Sequence, residues 1–421
     1  MLLLIARMAG ILLWIPAVGV PVPGGVMLAP YELLLVVLQP ILWITALDRK
    51  RLPMVAIALA IVTLAYAASV NRSASTVYYV FFVLFTIPNF LLLLNLFEDK
   101  NATRVFVSTF IKTGIWMTPI AILQFVSPYE IPLTNNVNYA LSSGVQYRAW
   151  GFTPEASILA ALYIVSIAMT LFNLCRRADP GIPGSIQTIV ILSAGLYCTN
   201  SSSTLTLLPL IAVYVLLLCR VSWKYFTAAG VIGAVSGWLF YVTLYGIRIE
   251  SGSTVSSVGI RLATDIVAVI IVAKNWATGL GPGMNNDATD DVMMYFFLLT
   301  GHVGETKEGF NNFVLAQMVE LGVLPGILSI AGLFLLMRFL WRRRDVPAEP
   351  IDFVCIFGVA ICVIGSIIGG YRGLAVEWLY YPAAAAVYIR QRWGLPGSTT
   401  PVPLLPAAVV GFDKGSRHEF S

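Results

Sequence analysis

The chain has 421 residues, of which 58% are hydrophobic and only 11% are charged, and its mean hydropathy is +0.84. Soluble domains carry about 25% charged residues, so this composition excludes an ordinary soluble protein and indicates a lipid bilayer as the solvent for most of the chain. The net charge of +5 does not indicate nucleic-acid binding, because the basic residues stand mainly at the ends of apolar segments.

Apolar runs of about 17–25 residues recur from the first residues to about Tyr388, without the alternating pattern of strands. A backbone in hydrocarbon must satisfy its own hydrogen bonds, so each run predicts a helix. We predict an all-α polytopic membrane protein with about twelve transmembrane helices in a single domain, residues 1–393. The Pro- and Gly-rich tail, 394–421, is expected to be cytoplasmic and disordered. The predicted spans are 2–19, 26–47, 53–70, 77–97, 105–126, 155–174, 184–199, 204–219, 223–246, 313–337, 351–370 and 376–389.

Basic residues alternate along these spans and predict their orientation. Most of the 26 Lys and Arg residues fall at the even-numbered junctions and in the tail, as they should if those junctions face the cytoplasm. Both ends of the chain are therefore expected in the cytoplasm, and the layout is that of a bacterial inner-membrane protein.

Two predicted periplasmic loops, 127–154 and 247–312, are much longer than the other connections. Long loops in compact proteins usually carry function, so the working surface is expected on the outer face. Within the larger loop, residues 258–276 predict a helix with an apolar centre too short to span, which fits a helix lying at the membrane interface. The Gly- and Pro-rich stretch 278–283 that follows predicts a turn.

Three arginines are predicted at the outer membrane boundary: Arg148, Arg261 and Arg372. Any one of them could be a charge that snorkels to water. Guanidinium groups also bind phosphate oxygens in pairs, so three that converge would suit a diphosphate whose lipid tail stays in the bilayer.

Four further residues are candidates for chemistry or for supporting it. Glu155 is either a helix-start carboxylate favoured by the helix dipole or a general base. His302 is either a solvated loop histidine or a base near neutral pH. Asn311 opens a predicted span that contains Glu320, and a carboxylate there should face protein or a wet cavity. The sequence has no nucleotide-binding or metal-ligand motif, and its five cysteines form no CxxC pair.

The stretch Arg148-x-x-Gly151-Phe152-x-x-Glu155 resembles a motif of the O-antigen polymerase/ligase superfamily. The turn from Gly279 to Gly283, with Gly281 at its centre, and the segment from Asn311 to Gly326 are similar to two further segments of that family. The resemblance covers roughly residues 145–330. It implies a metal-independent glycosyltransferase with a GT-C type membrane fold, no cofactor, and polyprenyl-diphosphate-linked glycans as substrates at the periplasmic face.

The resemblance favours a polymerase of oligosaccharide repeat units for O-antigen or exopolysaccharide. Arg148, Arg261 and Arg372 would hold the diphosphate, Glu155 or His302 would act as the base, and Gly281, Asn311 and Glu320 would support the site. The histidine of ligase members is replaced here by Phe310, yet an O-antigen ligase acting on lipid A-core is the alternative. A lipid-linked glycan transporter or flippase is an alternative of another class. Partners in the polymerase case are the bilayer, a chain-length regulator and a flippase.

Overall fold

The computed structural model describes residues 1–16, 20–22, 26–127, 131, 133, 149–153, 156–221, 227, 254–284, 310, 312–368 and 380–393. These residues form a bundle of α-helices. The helices are α1 (Leu2–Leu12), α2 (Pro30–Ala46), α3 (Leu52–Ala67), α4 (Arg72–Phe81), α5 (Ile87–Glu98), α6 (Lys100–Val126), α7 (Ala156–Arg176), α8 (Ile186–Cys198), α9 (Ser202–Leu218), α10 (Thr254–Lys274), α11 (Phe313–Leu321), α12 (Val323–Arg343), α13 (Pro350–Ile368) and α14 (Tyr380–Trp393).

Four helices of the described part are long and apolar enough to cross a membrane: Ser75–Glu98, Lys100–Val126, Ala156–Arg176 and Val323–Arg343. Further apolar helices of 10–17 residues pack around them. Large apolar side chains on the outside of the bundle are exposed, Trp116 by 77% and Val37 by 74%, which is how side chains facing lipid are expected to appear. The chain is therefore an α-helical membrane protein.

The centre of the bundle is formed by α7 and α13. Helix α7 is buried on all of its faces between Ile158 and Asn173, and α13 is buried from Ile351 to Cys362. Rings meet edge to face across the two helices, where Phe172 and Phe353 have centroids 5.1 Å apart. Helices apolar on all sides are the ones expected to be buried in a large bundle.

A single proline explains the irregularity between α4 and α5. The residues Phe82–Thr86 between them form a π-helical turn, so 72–98 runs as one interrupted helix. Pro88 has no N–H to donate to the carbonyl of Leu84, four residues earlier. The side-chain amide of Gln39 on α2 donates to that carbonyl instead, which replaces the lost bond and ties the two helices together.

Ion pairs join many helix ends at one end of the bundle, a set we call the ion-pair belt. Phe172 and Phe353, near these ends, show that α7 and α13 run in opposite directions. Helix α1 runs parallel to α6, since Gly10 packs on Phe106 and Trp14 packs on Gly114, so the first residues of α1 also lie at this end. The belt pairs are Arg51–Glu98, Lys100–Glu349, Arg104–Asp179, Arg220–Asp345, Arg343–Glu349, Arg343–Asp352 and Arg390–Glu349. The junctions predicted from their basic residues to share one membrane side thus meet in space.

Glu349 is the hub of this belt. It contacts Arg390, Arg343 at 3.7 Å and Lys100 at 3.9 Å. Burial acts to raise the pKa of the Glu349 carboxyl, but the hydrogen bond from Arg390 and the charges of Arg390, Arg343 and Lys100 outweigh it and lower that pKa below its ordinary value. The carboxylate therefore stabilises the fold at neutral pH.

The lowered pKa predicts how stability depends on pH. The stabilisation by Glu349 is complete above the unfolded-state pKa, near 4, and is lost as the pH falls through the lower folded-state value. We expect the melting temperature of Glu349→Gln in detergent to lie below the wild-type value at pH 7 and the gap to close at acid pH. Asp48→Asn, at an exposed carboxyl near the same end, is the control. A melting-temperature difference between wild type and Glu349→Gln that did not change with pH would contradict a stabilising role of the Glu349 carboxylate.

The structure corrects several predicted elements. Residues Val20–Val22 and Val26–Leu28 form a small antiparallel hairpin where spans 2–19 and 26–47 were predicted to end and begin. Helix α6 starts at Lys100, five residues before the predicted span. The helix predicted at 258–276 exists as α10, at Thr254–Lys274. The predicted span 223–246 apart from residue 227, most of loop 127–154, half of loop 247–312, and the tail lie outside the described residues.

Candidate functional site

The bundle end opposite the ion-pair belt holds the described neighbours of the predicted site residues. Residues 149–153 are fixed there by backbone and side-chain hydrogen bonds. Ala149 N–H donates to Cys198 O at 3.0 Å, and the side-chain oxygen of Gln124 accepts from the N–H groups of Trp150 and Gly151 at 3.2 and 2.8 Å. Gln124 is almost fully buried near the end of α6. It therefore anchors the short stretch between Arg148 and Glu155.

Gln124 is not among the residues that the sequence predicts for the site, because a single glutamine inside an apolar run is usually a polar residue that the helix merely tolerates. The available signal was its position, two residues before the predicted outer end of a span. Its amide nitrogen also donates to Ile131 O at 3.0 Å, so one side chain holds both described ends of the first long loop.

The predicted glycine turn exists and packs against the turn between α3 and α4. Val70 N–H donates to Leu280 O at 3.1 Å. Gly281 has φ of +114°, in the region that favours glycine, and a Cβ at this position would overlap the side chain of Ser69. Ser69 and Ser75 are hydrogen-bonded to each other beside it. Gly281 is thus required by backbone conformation and by close packing together.

The same turn lies in a break between α11 and α12, where a continuous span 313–337 was predicted. Gly322 interrupts the helix with φ of +87° and ψ of 179°. The N–H groups of Leu280 and Gly281 donate to the Val319 and Glu320 carbonyls at 2.8 and 3.0 Å, and Val323 N–H donates to Trp276 O at 2.8 Å. The turn therefore supplies backbone partners that the broken helix lacks at both of its inner ends.

A buried polar cluster, Gln317, Ser329 and Tyr381, joins α11, α12 and α14. The Gln317 oxygen accepts from the hydroxyls of Tyr381 and of Ser329, the latter at 3.2 Å, and the two hydroxyls are 2.7 Å apart. Within the described part of the chain, the Gln317 amide nitrogen has no hydrogen-bond partner although the residue is only 6% exposed. This leaves one buried donor available for a ligand hydroxyl or carbonyl.

Asn312 connects the start of α11 to the end of α13. Its side-chain oxygen accepts from the N–H groups of Val314 and Leu315, which caps the helix, and its amide nitrogen donates to Ser366 O at 2.7 Å. The predicted residue was its neighbour Asn311, which lies outside the described residues. The Ser366 end of α13 immediately precedes the segment that contains Arg372.

The structure brings two of the predicted site residues together. Gly281 N–H bonds to Glu320 O, and the Glu320 side chain is half-buried beside the turn. Arg261 lies on α10, which packs on α11 through a small core, but its side chain is not described. The others lie outside the described residues: Arg148, Glu155, His302, Asn311 and Arg372.

These features define an α-helical membrane protein with a glycine turn, a capped helix break and a buried polar cluster towards one end of its bundle. No known family model matches the chain, and no curated protein matches it significantly.

Proposed function

We propose that this protein is a polysaccharide polymerase that joins polyprenyl-diphosphate-linked oligosaccharide units at the periplasmic face of a bacterial inner membrane. About twelve spans, an outer face bearing loops 127–154 and 247–312, and cytoplasmic chain ends belong to the same proposal. The observation that carries it is the position of the segments that adjoin Arg148, Arg261 and Arg372. Residues 149–153, helix α10 and the end of α13 are all on the part of the bundle remote from the ion-pair belt.

The belt supports the proposed orientation. Basic residues are retained on the cytoplasmic side of membrane proteins, and the belt gathers arginines from five junctions or helix ends. With the belt in the cytoplasm, the glycine turn and the polar cluster lie towards the periplasm.

In the proposed reaction a hydroxyl of the acceptor unit attacks the anomeric carbon of the donor. The bond from that carbon to the diphosphate oxygen breaks, and polyprenyl diphosphate leaves with the electron pair. Arg148, Arg261 and Arg372 offset the charge that develops on the leaving diphosphate. Glu155 or His302 takes the proton of the attacking hydroxyl. The Gln317 amide in the buried polar cluster would offer a hydrogen bond to a sugar hydroxyl.

The helix break at Gly322 is the observation that favours a transporter, because carriers bind substrates at discontinuous helices near mid-membrane. Two features argue against this reading. Helix α12 has 21 residues beyond the break, about 32 Å, which alone crosses the hydrocarbon layer and puts the break near the boundary. The backbone carbonyl and N–H groups at the broken ends of α11 and α12 are also hydrogen-bonded to the backbone at and just before the glycine turn. They are therefore not available to a substrate.

The test is turnover of a lipid-linked repeat unit by the purified protein. The substrate is isolated from cells lacking the gene and mixed with protein in detergent, with a chelator and without nucleotide. We expect a ladder of longer lipid-linked glycans and release of polyprenyl diphosphate.

Other outcomes decide between the alternatives. Transfer of the glycan to lipid A-core without elongation would identify a ligase. Movement of an unchanged unit across a proteoliposome membrane, with no elongation, would overturn the enzyme assignment in favour of a transporter.

A further inference from the structure

A cleft opens at the ion-pair belt between the ends of α7, α9 and α12, far from the proposed reaction site. Its volume, including the solvent at its open mouth, is about 210 Å³, and the space that the centre of a water-sized group can occupy is about 10 Å³, room for a single oxygen-sized group. The polar residues that line it are Arg176, Arg343, Arg344 and Asp352.

The charges around this cleft do not balance. Arg343 is paired with Asp352 at 2.8 Å, and both side chains are largely buried, so this pair is neutral. Arg176 instead donates to the backbone carbonyls of Arg344 and Val346, and no carboxylate of the described residues is within ion-pair distance of it. Two guanidinium groups, those of Arg176 and Arg344, are therefore left in excess at the cleft.

The nearest acid outside the cleft does not remove this excess. Asp345 lies 3.8 Å from Arg344 but is bonded more closely to Arg220, at 2.6 Å. Arg344 stacks over the ring of Trp341 at 4.2 Å, which orients its guanidinium group while leaving its positive charge intact.

The other walls of the cleft are apolar: Phe172, Leu218 and Leu340. These three side chains lie within the last turns of α7, α9 and α12, on the membrane side of the arginines. Trp341, which is 48% exposed, marks the level where indole rings collect at membrane interfaces. The cleft thus has cationic groups at headgroup level above an apolar floor, since Phe172, Leu218 and Leu340 are only 2–4% exposed.

We propose that this cleft binds the phosphate of an anionic glycerophospholipid from the surrounding membrane leaflet. One phosphate oxygen enters the small space lined by Arg176 and Arg344, and the rest of the lipid stays outside the cleft, in the membrane leaflet. Basic pockets between helices at the cytoplasmic face bind acidic lipid headgroups by this chemistry. A free phosphate would share the arginine contacts, but the cleft opens at the level that Trp341 marks, where phospholipid headgroups are concentrated, so a lipid is the occupant.

The test measures stabilisation of the purified full-length protein in neutral detergent. We expect phosphatidylglycerol to raise the melting temperature by several degrees, whereas phosphatidylcholine of the same acyl chains and inorganic phosphate leave it nearly unchanged. Native mass spectrometry should show one retained phosphatidylglycerol.

Arg344→Gln should weaken the lipid effect about tenfold in apparent affinity, as expected on removing one charge-assisted contact. Arg342→Gln is the matched control, because Arg342 lies on the same helix turn, is exposed and does not line the cleft. Arg344→Lys keeps the positive charge and should retain part of the stabilisation by phosphatidylglycerol. It also controls for a folding defect caused by replacing Arg344.

Three results would overturn the proposal. They are an equal lipid effect in wild type and Arg344→Gln, an equal loss in Arg344→Gln and Arg342→Gln, and stabilisation by inorganic phosphate that matches the lipid. None of them bears on glycan polymerisation, which is tested separately.

Discussion

Arg148→Ala is expected to reduce elongation of the lipid-linked repeat unit by about 10²–10³-fold, the usual effect of removing one group that stabilises developing charge in a closed site. Arg261→Ala should have a similar effect, since both guanidinium groups are proposed to face the leaving diphosphate. Lysine at either position should restore only part of the activity, because a single ammonium cannot grip two oxygens as a guanidinium fork does. The rate of polyprenyl diphosphate release is the measurement.

Arg72→Ala is the matched control for the two arginine variants. Arg72 opens α4, is exposed, and donates to the Ala67 carbonyl at 3.1 Å. It lies at the turn between α3 and α4, at the bundle end opposite the ion-pair belt, but is not one of the three arginines proposed to hold the diphosphate, so its removal should change the rate less than about threefold. Full activity of both Arg148→Ala and Arg261→Ala, at normal protein levels, would end the polymerase assignment.

Gly322→Val should be the most destabilising single change among the described residues that we consider, costing roughly 3 kcal/mol or more. The backbone at Gly322 has a conformation that is essentially restricted to glycine, and a Cβ there would stand 2.5 Å from the Ala277 carbonyl oxygen. That oxygen belongs to backbone, which cannot swing aside as a side chain would. Strain of the conformation and overpacking each cost about 1–3 kcal/mol.

Unfolding of this variant can be followed by loss of helical circular dichroism on heating in detergent. Gly365→Ala is the control: Gly365 is a helical residue of α13, and its added methyl would meet nothing closer than Phe313 Cβ at 3.3 Å. We expect that variant to melt within a few degrees of wild type. If Gly322→Val melted like Gly365→Ala, the helix break would have to be reinterpreted as a flexible joint.

Much of the fold could be predicted because hydropathy is a local property. Each apolar run among the described residues became one or more helices, and the alternation of basic residues correctly grouped the junctions that meet in the ion-pair belt. Sequence could not reveal which acid partners which base. Arg390 pairs with Glu349, 41 residues away, and Arg220 pairs with Asp345 across 125 residues.

The break at Gly322 and the role of Gln124 could not be read from the sequence. Residues 313–337 are mostly apolar, and a glycine inside such a run is common in membrane helices that remain unbroken. The helix stops there because the turn at 276–281 provides hydrogen bonds to its exposed backbone groups. Gln124 likewise acquires its role from Trp150 and Gly151, which only the folded chain brings to it.

By itself, the sequence determined that this is a membrane protein, that its apolar segments are helices, and which junctions meet at one end of the bundle. These follow from the cost of placing unpaired peptide groups and charges in hydrocarbon, a cost that each segment meets alone. Only the tertiary structure decided where a helix breaks, which polar groups meet inside the bundle, and how the belt closes one end. Those features depend on hydrogen bonds and ion pairs between distant segments, which exist only after the helices have packed.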